Sequence, residues 1–282
     1  MRTALVQSLP VFGDEAANLA SLTAAISSVE ADFYVLPELC LSGYDFNDRE
    51  EAASHALEST SETIEALARV ATERGAGIAF GFAEKATEAG TAAFGNAAGD
   101  APTRRIYNSA LLAFPDGRRR VYRKTHLFAR ERLLFDPGDT GFFVEEFRGL
   151  RVGVAICFDW IFPESFRTLA LKGADLIAHC SNLVMPYCQR VDYARAIENR
   201  VYVATANRVG TESRGSPEEG GARSLHFTGE SVLVAPDGAY LLRLPPDRSD
   251  VGVCRVHPAK ARNKALGDLN DLFADRRSEF YS

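Results

Sequence analysis

The sequence predicts an α/β fold of four layers, helix–sheet–sheet–helix, with two mixed sheets contributed by two pseudo-duplicated halves. Three observations predict it. Short apolar runs alternate with segments whose apolar residues recur at helical spacing. The order of those runs in the first half returns in the second. Each half also closes on the same turn between two apolar runs, Pro115-Asp116-Gly117 in the first and Pro236-Asp237-Gly238 in the second. Sheets that carry helices on one side only must bury their bare faces against each other, which gives the four layers. No linker separates the halves, so residues 1–282 read as one domain.

The elements follow in order. Residues 3–7 form a short apolar strand. Behind Asp14, an N-cap, Leu19, Leu22, Ile26 and Val29 recur on one helical face. Residues 32–37 are a buried strand that stops at Pro37. Ser59 and Glu62 have capping-box spacing before Ile64, Leu67 and Val70, and Gly75 ends that helix. Residues 77–82 are a strand, and 107–114 with 118–122 flank the first hairpin turn. The second half repeats the order: strand 150–156, a helix opened by Pro163 and closed by Gly173, and strand 174–179. A helix over 186–200 follows, with Tyr187, Val191, Ala194 and Ile197 on one face, then strand 201–206 and the hairpin 230–234 with 240–244. Two stretches, 85–105 and 211–225, read as lengthened loops, either surface decoration or a lid or dimer contact. The charged tail 259–282 reads as a mobile end or an arm packed on a neighbouring subunit.

Composition excludes several functions. Apolar residues make up 46% and charged residues 25%, as in ordinary globular proteins. Thirty-two basic against thirty-eight acidic residues give a net charge of −6, which argues against a nucleic-acid-coating protein. The basic run 118–124 is one hairpin strand rather than an extended patch. No apolar run approaches the roughly 18 residues that span a bilayer. The N-terminus reads as a strand, with no charged segment leading into a long apolar one, so no signal peptide is expected. Five cysteines without paired spacing point to a reduced, cytoplasmic setting.

Three residues sit where predicted strands end. Glu38 follows Val35-Leu36-Pro37, where partial burial raises a carboxylate toward the range of a general base. Lys124 ends the hairpin strand and is followed by Thr125-His126-Leu127-Phe128 and then Glu131, and a lysine there can hold a developing oxyanion. Cys157 falls in the turn between a strand and the helix opened by Pro163, where unpaired N–H groups favour a thiolate and an oxyanion. Other readings are weaker. His126 and His179 are available for a cysteine–histidine pair, yet neither sits in a motif that marks a base. Cys180 and Cys188 are eight residues apart with no second cluster, which argues against zinc. The stretch 75–81 misses the dinucleotide-binding spacing and reads as strand.

Together the strings Leu36-Pro37-Glu38-Leu39, Arg123-Lys124-Thr125-His126-Leu127-Phe128 with Glu131, and Gly153-Val154-Ala155-Ile156-Cys157-Phe158-Asp159 resemble the three signatures of the nitrilase, or carbon–nitrogen hydrolase, superfamily. The resemblance extends to Phe135-Asp136-Pro137-Gly138-Asp139, Gly173-Ala174-Asp175 and Glu198-Asn199-Arg200. It implies the four-layer sandwich and a homodimer or higher homo-oligomer through the helices that follow Cys157 and precede Arg200. It also implies a mechanism without metal or organic cofactor. Glu38 is the base and Cys157 the nucleophile that becomes a thioester. Lys124 and the N–H of Phe158 stabilise the charge on oxygen or nitrogen, and Glu131 orients substrate or Lys124.

By the same resemblance Tyr44, Phe128, Asp159, Trp160 and Asn182 contact the substrate, with Ile161, Leu183 and Asn47 near by. Where carboxylate-binding members carry arginine after the cysteine, this chain has Trp160 and Ile161, so small neutral or apolar substrates are expected, unless Arg190 or Arg195 reaches in. Phe158-Asp159 lies closer to amidase-type branches. Phe162-Pro163-Glu164 and Asn182-Leu183-Val184-Met185-Pro186 also resemble short aliphatic nitrilases. The reading leans narrowly to a small amide, with an aliphatic nitrile as the alternative. An acyltransferase or a non-catalytic scaffold ranks lower.

Overall fold

The structure, a computed structural model, describes residues 1–86, 105–215 and 223–281. In the first half the order is β1 (Arg2–Gln7), α1 (Glu15–Ser27), β2 (Phe33–Val35), α2 (Arg49–Ser54), α3 (Glu62–Glu73), β3 (Gly77–Lys85), β4 (Ile106–Ala113), β5 (Arg119–Arg123) and α4 (Glu131–Leu134). The second half runs through β6 (Val144–Phe147), β7 (Leu150–Ile156), a 3₁₀ turn (Cys157–Ile161), α5 (Pro163–Leu171), β8 (Leu176–Cys180), α6 (Cys188–Asn199) and β9 (Tyr202–Ala206). It continues with β10 (Val209–Arg214), β11 (Arg223–Thr228), β12 (Val232–Val234), β13 (Tyr240–Arg243), β14 (Asp250–Arg255) and α7 (Pro258–Arg262).

The duplication is written in the topology. One six-stranded sheet has the order β14-β1-β2-β3-β4-β5 and the other β6-β7-β8-β9-β12-β13. In both, the second, third and fourth strands are parallel, and the first, fifth and sixth run antiparallel to their neighbours. Each Pro-Asp-Gly turn joins the fifth and sixth strands. Strand alternation assigns the layers. Phe33 and Val35 of β2 face the inter-sheet core with Val154 and Ile156, while Tyr34 between them packs under Leu22 of α1 and Ile64 of α3. One sheet face thus meets the other sheet and the opposite face meets helices.

Local chemistry explains most boundaries. Asp14 accepts the N–H of Ala17 and starts α1. The capping box expected at Ser59 does not form: the helix begins at Glu62 behind Ser61, whose side chain makes no cap hydrogen bond. Leu57 is tied to β3 through bonds from its N–H to Ala83 O and from Lys85 N to its own oxygen, which sets where the chain turns into the helix.

The stretch expected as a loop over 211–225 is a correction. Its flanks form the antiparallel ribbon β10–β11, paired from Val209 with Thr228 to Arg214 with Arg223. Residues 216–222 and most of the other expected loop, 87–104, lie outside the described residues. The start of the tail is anchored on its own chain, since Lys264 Nζ donates to the oxygens of Asn199 and Arg200 at the end of α6. Among the described residues no helix is long and apolar enough to cross a membrane.

Candidate active site

Glu38 lies just beyond β2, Lys124 beyond β5 and Cys157 beyond β7, at strand ends of the two facing sheets. Backbone contacts fix the first of these. Gly81 of β3 passes so close that a Cβ there would stand 2.4 Å from the Cα of Glu38. Gly81 N donates to Pro37 O and Cys40 N donates to Gly81 O, so the turn bearing Glu38 is strapped to β3. Lys124 is held in the same manner: its N–H donates to Asn108 O, and its oxygen accepts from Gly138 N, where a Cβ would meet Arg123 O at 2.1 Å.

The side chains meet in the interior. Lys124 Nζ donates to Glu38 Oε1 at 2.6 Å and to Glu131 at 2.7–2.8 Å, and the Lys124 and Glu38 side chains have 0% exposure. Asn108 Nδ2 donates to the same Glu38 oxygen at 2.7 Å. Glu131, on α4, also accepts from Tyr44 Oη at 2.7 Å and from Phe128 N at 3.1 Å. Glu38 Oε2 is buried with no protein partner among the described residues. One oxygen of the carboxylate is therefore committed to the cluster and the other is left for chemistry.

Electrostatics follow the geometry. Burial raises Glu38 above its ordinary value, with the Glu131 charge adding and Lys124 opposing. Burial alone would discharge Lys124, but the two carboxylates outweigh it and hold the ammonium above the ordinary lysine value. Cys157 feels Glu38, Lys124 and Glu131 together, and burial and the Glu38 charge push its thiol well up. The resting sulfur is a thiol that needs a base close by.

Cys157 itself adopts φ +38°, a left-handed conformation uncommon outside glycine. Its turn is held by Asp159, whose Oδ2 accepts from Ile156 N at 2.9 Å and Tyr122 Oη at 2.7 Å, and whose Oδ1 meets His126 Nδ1 at 2.7 Å. The thiol donates to Asn182 O at 3.7 Å. It opens on a small recess lined by Phe128, Phe158, Trp160, Leu183, Val184 and Met185, with Asn182 beside the sulfur. Both amide atoms of Asn182 are buried without a protein partner among the described residues.

The expected site residues therefore divide. Glu38, Lys124 and Glu131 meet in one hydrogen-bonded cluster whose charges act on Cys157, while Phe128, Phe158, Trp160 and Asn182 line the recess at Cys157. Asp159 is placed differently from the expectation: it is wholly buried and spends its carboxylate on the turn and on His126. Tyr44 reaches Glu131 rather than the recess. Neither arginine weighed for the pocket enters it, since Arg195 donates to Trp160 O and pairs with Glu198, and Arg190 is exposed.

Sequence reasoning missed Asn108, Tyr122, Arg208 and Glu212. The last two belong to a support behind Tyr44: Glu212 on β10 accepts the N–H groups of Tyr44 and Asp45 and pairs at 2.8 Å with buried Arg208. Their signal in sequence was a polar residue inside or beside a strand, which alone has no direction. Changing Tyr44 to phenylalanine deletes the bond to Glu131 and leaves the ring. A hydrogen bond to a charged group is worth about 1.5–3 kcal/mol, so kcat is expected to fall about ten- to a hundredfold with KM little changed. Steady-state kinetics on any accepted substrate checks this.

Comparison with known proteins gives one family. The sequence pattern described as carbon-nitrogen hydrolase matches residues 2–265. A nitrilase of Pyrococcus abyssi is 45% identical over 252 residues, covering 89% of this chain and 86% of its own length. An (R)-stereoselective amidase of a Pseudomonas species is 32% identical over 286 residues, covering 100% of this chain and 90% of its own. Among solved structures, an amidase from Nesterenkonia sp. superposes with a TM-score of 0.75 at 26% identity, over 99% of this chain and 94% of that one. In one mutant form of that amidase acrylamide has added to the active site cysteine.

Proposed function

The chain belongs to the carbon–nitrogen hydrolase family, and from that footing we propose that it hydrolyses small, uncharged aliphatic nitriles to the carboxylic acid and ammonia through a thioester on Cys157. It is a nitrilase- or amidase-type carbon–nitrogen hydrolase. The 45% identity to a nitrilase is what favours nitriles; an unpartnered Glu38 oxygen and an unpartnered Asn182 amide beside an apolar recess at a strained cysteine support a small uncharged substrate of either kind. Buried polar atoms without partners are costly unless a ligand supplies them.

The chemistry runs as follows. Glu38 takes the thiol proton as sulfur adds to the nitrile carbon. Lys124 and the N–H of Phe158 meet the negative charge that develops on nitrogen. Two waters are consumed: the first, activated by Glu38, adds to the thioimidate, and ammonia leaves to give the thioester. The second releases the acid and restores the thiol. Glu131 and Tyr44 keep Lys124 charged and in place. Among the described residues no arginine lines the recess, so a substrate carboxylate would lack a counter-charge there, which disfavours monoamides of dicarboxylic acids and carbamoyl amino acids.

Amide hydrolysis is the second reading, toward which the sequence leaned. The structural likeness to an amidase favours it, while the higher identity to a nitrilase favours nitriles. The residues and the thioester are common to both. We further propose that residues 1–282 act as one domain and that two copies pair through α5 and α6, which expose Leu171 and Tyr193. All five cysteines are free thiols, in keeping with a reduced, cytoplasmic setting.

A panel of short aliphatic nitriles, the matching amides and carbamoyl compounds tests the reading, with ammonia as the readout and Cys157→Ala as control. Saturable ammonia release from nitriles is expected, and none from substrates that carry a free carboxylate. Release from amides alone selects the second reading. Release from neither class overturns both.

A further inference from the structure

Beneath the cysteine turn lies a second buried polar chain, separate from the Glu38–Lys124–Glu131 cluster. His179 of β8 has Nε2 2.9 Å from the main-chain oxygen of Cys157 and Nδ1 2.9 Å from Thr205 Oγ1 of β9. Thr205 Oγ1 lies 2.7 Å from Asp192 Oδ2 of α6. All three residues are at 0% exposure.

Valence fixes the protons. A carbonyl oxygen only accepts, so His179 Nε2 carries hydrogen and donates to Cys157 O. Ser181 Oγ, 3.2 Å from the same nitrogen, takes a weaker share. Thr205 has one hydroxyl proton for two neighbours. With Asp192 ionised it donates to the carboxylate, and Nδ1 keeps its bond only if His179 is a cation. With Asp192 neutral, the carboxyl donates to Thr205 and Thr205 donates to Nδ1. Both complete chains hold one proton more than ionised Asp192 with neutral His179, and losing that proton breaks the bond between Thr205 and Nδ1.

The surroundings favour the neutral chain. Burial pushes Asp192 up to about 7, against bonds from Thr205 and Cys188 and the Arg195 charge. Burial brings His179 down to about 4, with the bond to Cys157 O and the Asp159 charge opposing and Lys124 adding. Among the described residues Tyr240, on β13, also feels the Asp192 charge. His179, Cys188 and Asp192 bring ligand-type atoms within 4.8 Å of one another. Both imidazole nitrogens are already bonded, however, and the Thr205 hydroxyl bridges ring and carboxylate, so the set is a hydrogen-bonded chain and not a metal cage.

We propose that His179, relayed through Thr205 to Asp192, is a positioning residue: it holds the carbonyl of Cys157 and keeps the strained nucleophile turn aimed at the substrate carbon. The inference rests on Cys157 being the nucleophile. The turn is then gripped from two sides, by Asp159 on Ile156 N and by His179 on Cys157 O. A residue held at φ +38° needs such over-determination.

The test uses four variants. His179→Leu removes the donor. His179→Gln restores an N–H. Thr205→Val cuts the relay at nearly constant volume. Asp192→Asn donates like the neutral acid and cannot titrate. For His179→Leu and Thr205→Val, kcat is expected to fall about tenfold or more with KM within about threefold, and glutamine recovers part of the loss. The folded pKa of Asp192 is raised, so its contribution to stability is present at low pH and lost as pH rises through about 7. The Tm of wild type therefore falls relative to Asp192→Asn as pH rises from the ordinary aspartate range to about 7, and its kcat falls relative to Asp192→Asn as pH rises through about 7. If His179→Leu fails to fold, Thr205→Val and Asp192→Asn decide.

Wild-type kcat in Thr205→Val, or an Asp192→Asn profile identical to wild type, overturns the relay. A loss of Tm with unchanged kcat at saturating temperature-safe conditions reduces His179 to packing and also overturns it. A fully active Cys157→Ala instead sinks the nucleophile on which the inference rests.

Discussion

Replacing Cys157 with alanine is expected to lower kcat by on the order of 10⁴- to 10⁶-fold, the scale of removing a covalent nucleophile. The fold should survive. The sulfur makes one long contact, to Asn182 O at 3.7 Å, and lies at the mouth of a recess. Alanine accepts φ +38° no worse than cysteine does. Truncating one buried sulfur therefore costs about 1 kcal/mol, at the low end of cavity effects. Two measurements are needed together: ammonia release, and trapping of the acyl group with hydroxylamine. Wild type should yield hydroxamate and the alanine variant none. Ammonia at the wild-type rate from Cys157→Ala would remove the nucleophile assignment. The same assay checks the base. Glu38 must be ionised to accept the thiol proton, and burial raises it above the usual carboxylate range, so kcat/KM should fall with acid at a higher pH than an ordinary carboxylate would give.

Changing Lys124 to methionine should damage activity and stability at once. Methionine matches the length of the lysine stem but leaves Glu38 and Glu131 facing each other with no cation between them. Removing one partner of a buried ion pair costs about 3–5 kcal/mol. Two carboxylates share the loss here, so the upper part of that range is expected. Activity falls further, by on the order of 10²–10³-fold, because the charge that meets the developing anion is gone. Stability has a diagnostic pH dependence. Unpaired buried carboxylates shed their penalty by taking up protons, so the Tm deficit of Lys124→Met should narrow as pH falls. A deficit that is constant or widens toward acid would show that Lys124 does not neutralise this cluster. Thermal melts of both proteins over the same pH series decide it.

How much was legible depends on where the information lies. Glu38, Lys124 and Cys157 each follow an apolar run that marks a strand end, and strand ends gather on one side of such sheets, but it was the resemblance of the three motifs together that singled them out. The parallel core β1–β3 and β7–β9 was legible from such apolar runs. Strand β14 was not: Asp250–Arg255 is a half-exposed edge segment whose partner, β1, lies at the far end of the chain. The ribbon β10–β11 was masked by glycine, serine and glutamate, which read as loop, and pairing alone made it strand. Asp159 was misplaced because its neighbours line the recess, while its own side chain turns inward to Ile156 N, Tyr122 and His126.

Sequence by itself determined the layers and the repeated order of strands, because hydrophobic period and strand ends are local properties written in adjacent residues. Only the tertiary structure decided which oxygen of Glu38 stays unpaired, that Tyr44 serves Glu131, and that His179 grips the carbonyl of Cys157. Those relations join residues brought together by packing two sheets and α6. A hydrogen bond is set by distances of tenths of an ångström that no run of neighbouring letters encodes.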